Sequence, residues 1–275
     1  MELPQKCCNL QAEKEKPPNT PKILKKPITV IATILCIYQF NAQNLNHDLG
    51  ILVGSTNLQS DYGVPESILG SFTNNGTSLS IAHYLGFSNS YSRWNRRKLF
   101  DHLRVKTEIK YLINGNFEHT GKYSKKNNSN AEKLSAMKGC LKMFDLGINL
   151  EYYMFSVDEI NNFNYSTYLN PYVSFGFKYS FYTNGITSEL GNWEEDRTLL
   201  ADWYSGKVDL DVGKNNAFSF CSGIGIRNML TPKIDLVAQV SFQYFFSDSI
   251  DGLIHTKNDS SVNIQLGIIY QLNTK

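Results

Sequence analysis

The feature that most constrains the fold is a two-residue alternation of apolar and polar side chains, clearest in KIDLVAQVSFQYFFSD, residues 233–248. Every second residue from Ile234 to Phe246 is apolar, and most of the residues between them are polar. Because successive side chains of a β-strand point to opposite faces, this pattern predicts a long strand with one apolar face. The alternation recurs and predicts eight strands, at about 46–56, 77–87, 101–117, 139–155, 168–182, 216–228, 233–247 and 260–272.

The connections between these strands alternate in length, which indicates their topology. The segments 57–76, 118–138, 183–215 and 248–259 are longer on average than 88–100, 156–167 and 229–232. The last of these, within NMLTPK, predicts a tight turn, and EKLSAMKG predicts a short helical turn in a long loop. An even number of strands with short turns at one end and long loops at the other is typical of outer-membrane barrels. The predicted fold is therefore all-β, an eight-stranded antiparallel up-and-down transmembrane β-barrel.

The apolar face could contact membrane lipid or the core of a soluble protein, and the residues of the opposite face distinguish the two. Charged residues share that face with glycines, which have no use on a solvated strand surface but make room inside a narrow barrel. Aromatic residues gather near strand ends, as they do at membrane interfaces. We interpret the apolar face as lipid-facing. The alternative is a secreted soluble ligand-binding β-barrel of lipocalin type, with the apolar face inside. The glycines are Gly50, Gly54, Gly86, Gly147, Gly176, Gly223, Gly225 and Gly267.

The charged residues of the second face are predicted to form a polar network that fills the interior. They are Arg104, Lys106, Glu108, Lys110, Asp145, Glu151, Lys178, Arg227 and Asp235, with Asp48 as a further member. Five are basic and five are acidic, as expected where unpaired charges would be costly. We expect the cations of the third strand to pair with Asp145 and Glu151 of the fourth, and the interior to conduct no ions.

The N-terminal region predicts a secretory signal. Residues 23–42 contain lysines, then an apolar run from Ile28 to Phe40, then a small residue, Ala42. This is the order of a cleaved signal peptide, with cleavage expected after Ala42; a short membrane anchor or a buried helix is the alternative. Residues 1–22 are read as a polar extension, which a mis-assigned start codon would explain. Residues 43–275 are predicted to form the barrel, located in the outer membrane.

Few residues suggest chemistry. The formal net charge of +2 does not fit a nucleic-acid-binding domain. Beyond the signal region only Cys140 and Cys221 remain, which we expect to be free thiols, and the histidines form no HExxH motif. No metal, cofactor or catalytic residue is predicted. Asp101-His102, or the loop residues Asp248, Asp251 and His255, would be needed for the alternative function, a lipid-modifying or hydrolytic barrel enzyme.

One short connection carries a cluster of positive charge. The segment SNSYSRWNRRK contains Arg93, Arg96, Arg97 and Lys98 on a predicted periplasmic turn. Such a cluster predicts a dock for lipid phosphate or for an acidic periplasmic partner. A solvated turn without a partner would show the same residues, so both interpretations stay open.

Several segments resemble a family of small outer-membrane β-barrel proteins from bacteria that use type IX secretion. They are LQSDYG, AHYLGF, FDHLRVKTEIKY, AEKLSAMKG, FDLGINLEYY and YFFSDSIDGLIH. Some members carry the name glutamate dehydrogenase, which this sequence does not support, because no GxGxxG opens a helix after a strand. The general shape is also similar to PorG, a small barrel of type IX secretion. Family members tend to end on an aromatic or apolar strand end, whereas this chain continues past Tyr270 as QLNTK, so its insertion signal would be Tyr270 or Leu272.

The resemblance and the residues together predict a non-enzymatic role. A barrel with a filled interior would act structurally or as an accessory, in envelope integrity or protein secretion, through its outer loops and periplasmic turns. Its predicted partners are outer-membrane lipid and a periplasmic or envelope protein, with no nucleic acid.

Overall fold

The computed structural model describes residues 45–59, 75–87, 99–119, 121–155, 169–201, 209–254 and 258–272. Eight long antiparallel strands form a closed barrel. The long strands are β1 (Leu45–Gln59), β2 (Asn75–Phe87), β3 (Leu103–Glu118), β4 (Met137–Tyr153), β5 (Leu169–Ser188), β7 (Gly213–Thr231), β8 (Ile234–Phe245) and β10 (Ser260–Gln271). Around the barrel they follow the order β1-β10-β8-β7-β5-β4-β3-β2. Two short strands, β6 (Asp209–Leu210) and β9 (Leu253–Ile254), pair outside the barrel. The prediction of eight antiparallel strands is confirmed.

The barrel closes because the first and last strands pair along almost their full length. Ile51 of β1 lies between Ile81 of β2 and Ile268 of β10. Every neighbouring pair of long strands is antiparallel. A closed ladder leaves no strand edge with unpaired backbone N–H and C=O groups. A sheet can span the hydrocarbon core of a membrane only when these groups are all hydrogen-bonded.

The two ends of the barrel differ as the connection lengths predicted. At one end, here called the turn end, Pro232 and Lys233 alone join β7 to β8, and Thr231 Oγ1 accepts a hydrogen bond from the Ile234 amide. At the other end, the loop end, lie the long connections, including helix α1 (Ser129–Ala136). Asn128 begins this helix, with its side chain accepting from the Ala131 amide. None of the helices among the described residues is long and apolar enough to cross a membrane.

The apolar residues of the long strands point away from the barrel. Ile51 is 61% exposed, Ile148 60% and Leu266 63%. A belt of this extent greatly exceeds the apolar patches that soluble monomers expose, and it is what hydrocarbon requires. Aromatic rings flank the belt near both ends, among them Phe181 towards the loop end and Tyr270 towards the turn end. The fold is therefore a transmembrane β-barrel, and the lipocalin-type alternative does not agree with an apolar face on the outside.

Glycines on the inner face leave room for large side chains, as the sequence argument required. A Cβ atom on Gly147 would lie 2.7 Å from Cγ of Lys178. A Cβ atom on Gly225 would lie 2.3 Å from the Tyr172 ring. Because a contact below 3.0 Å forces something to move, these two positions are reserved for glycine by the side chains beside them.

The cysteines follow the prediction only in part. Cys221 is a buried free thiol, as expected. Cys140 is disulfide-bonded in the full chain, which contradicts the prediction there. The cysteines other than Cys140 and Cys221 all precede the predicted cleavage site after Ala42, so a free Cys140 thiol stays a prediction for the mature barrel. Cys221 is not its partner, in agreement with the placement of the two on non-adjacent strands, since β5 separates β4 from β7.

Candidate functional site

The interior of the barrel is the most highly organised polar region of the described chain. The structure places every predicted member of the network there, each at most 5% exposed. These residues are Arg104, Lys106, Glu108, Lys110, Asp145, Glu151, Lys178, Arg227 and Asp235, together with Asp48. Five cations and five carboxylates thus occupy a space from which water is largely excluded, and each must find a partner.

Nearest the turn end, two arginines and two aspartates form a linked group. Asp48 Oδ2 accepts from Arg104 Nη1 and, at 2.8 Å, from Arg227 Nη2. Arg227 Nε also donates to Asp235 Oδ2 at 2.7 Å. Gln271 Nε2 lies 3.2 Å and 3.0 Å from the two carboxylate oxygens of Asp235. The group ties together β1, β3, β7, β8 and β10 by charge-assisted hydrogen bonds.

Midway along the barrel, Glu108 holds two lysines. Its carboxylate lies 3.0 Å from Lys178 Nζ and 3.6 Å from Lys106 Nζ. Lys106 also donates to Gln239 Oε1 at 3.1 Å, and Tyr172 donates to the same oxygen at 2.9 Å. Because β3 and β8 lie on opposite sides of the barrel, Lys106 spans the interior and blocks it.

Closer to the loop end, Lys110 and Asp145 form a further ion pair, at 2.9 Å. Lys110 Nζ also donates across the interior to Gln243 Oε1 at 3.2 Å and to Asn263 Oδ1 at 3.0 Å. Thr56 donates to the same Asn263 oxygen at 2.6 Å. A second lysine therefore crosses the barrel at a different level from the first.

The expected pairing of the third-strand cations with Glu151 is wrong. Glu151 lies opposite Arg104 in the β3–β4 ladder, yet the guanidinium turns to Asp48. Glu151 Oε2 instead accepts from the Tyr153 hydroxyl at 2.7 Å, and its Oε1 has no hydrogen-bond partner among the described residues. Asp48 also binds Arg227, so one carboxylate bridges two buried cations from separate strands, and Asp235 supplies the second negative charge to Arg227.

Little free space remains between these groups. A cavity of about 10 Å³ lies among the central residues, including Lys106, Glu108, Glu151, Lys178 and Cys221. A cavity needs roughly 10–15 Å³ to hold one water molecule. Within the described part of the chain, the middle of the interior is therefore filled by side chains.

Above the polar network, an apolar cluster fills the loop end of the barrel. We call this cluster the outer cap. It consists of Leu58, Leu112, Met137, Leu141, Met143, Tyr182, Ile186, Leu200, Ala201, Ala217, Phe245, Ile250 and Leu253, all buried. Strand residues supply its walls, and Leu200, Ala201, Ile250 and Leu253 come from the two connections that follow β5 and β8. The loops thus fold into the mouth of the barrel.

Hydrogen bonds from the strands fix these two loops in place. Asn184 of β5 donates from Nδ2 to the carbonyls of Ser249 at 2.7 Å and Asp211 at 3.1 Å, and accepts from the Gly213 amide at 2.8 Å. Trp193 donates to the Ile186 carbonyl at 2.7 Å. One side chain, Asn184, therefore satisfies backbone groups of both loops and joins them.

A glycine completes the cap at a position that requires it. Gly252 has φ +90°, a conformation that side-chain-bearing residues rarely adopt, and its carbonyl accepts from the Asp211 amide at 3.1 Å. Next to it, Leu210 and Leu253 are partners in the β6–β9 pair. The sequence analysis missed the cap, although the connection after β5 contains several apolar residues that are unusual in a solvated loop. They are Leu199, Leu200, Leu210 and Val212.

The remaining predicted features are distributed as follows. The basic cluster Arg93, Arg96, Arg97 and Lys98, residues 1–42 and His255 all lie outside the described residues. His102 Nδ1 contacts the Tyr153 carbonyl at 2.9 Å, and Asp251 Oδ1 accepts from the Leu253 amide at 2.9 Å. A search of the described residues found no group of three or more histidine, cysteine or acidic side chains arranged to hold a metal ion.

These features define a closed transmembrane β-barrel with a charge-paired interior and an apolar cap. A scan against protein-family models and a search of curated proteins each found no match. Solved structures of small outer-membrane barrels are similar in shape. A major outer membrane protein from Thermus thermophilus is 11% identical with a TM-score of 0.44, over 82% of this chain and 99% of that chain.

Two further similarities have the same character. Ail, the attachment invasion locus protein of Yersinia pestis, solved with the heparin analogue sucrose octasulfate, is 12% identical over 84% of this chain and 100% of its own, with a TM-score of 0.41. OprG from Pseudomonas aeruginosa is 12% identical over 84% of this chain and 96% of its own, with a TM-score of 0.40. At these values the likenesses carry no functional argument, and function is inferred from the geometry of this chain.

Proposed function

We propose that this chain is a non-enzymatic outer-membrane β-barrel protein with a structural or accessory role. The observation that carries the proposal is the sealed interior, in which lysines cross the barrel at two levels beneath an apolar cap. A barrel filled in this way offers no path for a solute and no room for a ligand. Its exposed polar surfaces lie at the two ends.

The location in the outer membrane is supported by physical arguments from both the fold and the sequence. Barrels closed by antiparallel strands are the β-structures that span membranes. The predicted signal peptide at 23–42 would direct residues 43–275 out of the cytoplasm. In this orientation the turn end faces the periplasm and the loop end faces outside, which agrees with the usual arrangement of short and long connections.

The role at the cell surface is assigned to the loop end. In the described parts of the two loops of the cap, hydrogen bonds from Asn184 hold the backbone at Asp211 and Ser249. Helix α1 packs against the cap through Leu134. The connection that contains this helix also carries the exposed Tyr123, with the ammonium groups of Lys122 and Lys126 5.2 Å and 5.0 Å from its ring centroid. A mixed aromatic and basic surface suits contact with an envelope partner.

The resemblance to small barrels of bacteria with type IX secretion supports the finer assignment, an accessory to envelope integrity or to protein secretion. The predicted basic turn at residues 93–98 would supply the periplasmic contact with lipid phosphate or an acidic protein. Two of the groups named for the enzymatic alternative contact strand backbone atoms: His102 lies against the Tyr153 carbonyl at the end of β4, and Asp251 accepts from the Leu253 amide of β9.

Cell fractionation combined with electrophoresis tests the proposal. We expect the protein in the detergent-soluble outer-membrane fraction, and we expect the unboiled protein to migrate differently from the boiled protein, because a closed barrel resists SDS. Recovery in a soluble fraction without detergent would contradict the membrane assignment. Mass spectrometry of envelope lipids from cells with and without the protein tests the enzymatic alternative, and a change in covalent lipid structure would contradict a non-enzymatic role.

A further inference from the structure

Two histidines meet on the outer face of the barrel near its turn end. His47 lies on β1 and His83 on β2, in diagonal positions of the ladder, since His47 faces Leu85 and His83 faces Leu49. His47 Nδ1 lies 3.1 Å from His83 Nε2. The ring centroids are 5.3 Å apart with an angle of 25° between the ring planes. Both side chains are partly exposed, so water reaches them from the membrane boundary.

The distance between these nitrogens matches the spacing of two imidazoles on one metal ion. Metal–nitrogen bonds of 2.0–2.1 Å and a nitrogen separation of 3.1 Å correspond to an angle of about 100° at the metal. That angle lies between those of square-planar and tetrahedral coordination, the geometries that Cu²⁺, Ni²⁺ and Zn²⁺ adopt. A small rotation of the rings would direct both lone pairs at a common point.

The backbone holds the two rings in this relation before any ligand arrives. β1 and β2 pair without a break from Leu45–Phe87 to Asn57–Asn75. The His83 carbonyl accepts from Thr107 Oγ1 of β3 at 3.4 Å, and the His47 carbonyl accepts from the Leu272 amide at 3.0 Å. Donors that a rigid sheet positions bind metal with less loss of conformational freedom than donors on loops.

We propose that His47 and His83 form a binding site for a divalent transition-metal ion at the periplasmic boundary of the barrel. The two imidazole nitrogens supply two ligands, and water from the interface completes the coordination. When the metal binds, both of these nitrogens must present a lone pair, so the N–H of the ring that donates moves to the other nitrogen of that ring, and both imidazoles stay neutral. The site would add a metal link between β1 and β2, which the ladder already joins.

Metal titration of the purified, refolded protein in detergent, without an affinity tag, tests this site. Calorimetry with Cu²⁺ and with Zn²⁺ should show one site per chain, and the frozen Cu²⁺ complex should show hyperfine coupling to two nitrogens. His47→Ala and His83→Ala should each weaken binding by at least about tenfold, because losing even a second-shell partner costs 10- to 100-fold. Mg²⁺, which prefers oxygen ligands, should give no heat at the same concentration.

The matched control is His102→Ala, which removes a histidine near the same boundary that contacts a backbone carbonyl instead of another ring nitrogen. It should bind Cu²⁺ as the unaltered protein does. The shift in electrophoretic mobility between unboiled and boiled samples checks that each variant is folded. Equal Cu²⁺ affinity in the unaltered protein and in folded His47→Ala and His83→Ala, or a spectrum with a single nitrogen ligand, would overturn the proposal.

Discussion

Lys110 of β3 and Asp145 of β4 face each other across one ladder and form an ion pair of 2.9 Å in which both side chains are 1% exposed. The pair lies at the boundary between the polar network and the outer cap, where the interior changes from charged to apolar. Its ammonium also reaches Gln243 on the far side of the barrel. Sealing of the interior and stability of the barrel therefore depend on the same contacts.

The first prediction compares this buried pair with an exposed one. Lys110→Met should lower the free energy of unfolding by about 3–5 kcal/mol, because Asp145 is left as a buried, unpaired charge. Lys138→Met removes the 2.7 Å ion pair between Lys138 and Glu189, whose side chains are 38% and 56% exposed. This substitution should lower the free energy of unfolding by less than about 1 kcal/mol. Urea titration of both refolded variants measures the difference, and equal losses would contradict it.

The second prediction compares Asp48, which pairs with two arginines, with Glu151, which accepts a hydrogen bond from a tyrosine hydroxyl. Asp48→Asn removes the negative charge that bridges Arg104 and Arg227, so it should destabilise the barrel by several kcal/mol, on the order of the 3–5 kcal/mol for a broken buried pair. Glu151→Gln keeps an acceptor for the Tyr153 hydroxyl and breaks no ion pair of the described residues, so it should cost clearly less. A larger loss for Glu151→Gln would show that Glu151 is the main counter-ion.

The third prediction tests the role of glycine in the interior. Gly225→Ala should destabilise the barrel by about 1–3 kcal/mol, because the new methyl group overlaps the Tyr172 ring, which hydrogen-bonds to Gln239. Gly86→Ala is the control, since the atom nearest to its added Cβ, Cζ of Arg104, would lie 3.3 Å away, a tight contact but not the 2.3 Å overlap at Gly225. Thermal unfolding by circular dichroism measures both variants, and indistinguishable midpoints would count against packing as the reason.

The fourth prediction concerns pH. Burial lowers the pKa of His119, which follows β3 at the loop end, from 6.5 to about 4. The unfolded chain therefore binds this proton more readily than the folded barrel. Titration of His119 leaves the free energy of unfolding unchanged above pH 6.5 and lowers it as the pH falls towards 4. His119→Gln should therefore show a smaller loss of stability between about pH 7.5 and about pH 4.5 than the unaltered protein. If the stability of the two proteins decreased equally over this pH range, the folded state would not hold His119 as a buried neutral imidazole.

The strands and their orientation were accessible from the sequence because a two-residue period determines which face each side chain occupies. Glycine on the charged face was the most informative signal, since Gly147 and Gly225 stand beside Lys178 and Tyr172. The choice of partners was not accessible. Long side chains such as Lys106 cross the barrel to β8, and neither strand adjacency nor register predicts contacts across an interior.

The outer cap escaped prediction for a different reason. Its walls belong to strand residues such as Leu141 and Phe245 that simply continue the inward alternation. Its lid consists of loop residues such as Leu200 and Ile250, whose apolar character has no period that would reveal it. A cluster built from non-periodic loop residues becomes visible only when the strands bring the two loops to the same mouth.

The most direct test of a sealed interior is ion conductance across a planar lipid bilayer. The purified protein, shown to be folded by its mobility before and after boiling, should insert without producing steady open-channel current at either polarity. The expectation follows from Lys106 and Lys110 crossing the barrel beneath the outer cap, with about 10 Å³ of free space among the central residues. Reproducible single-channel steps from the unaltered protein would show that the interior is a pore, and a transport function would replace the proposed accessory role.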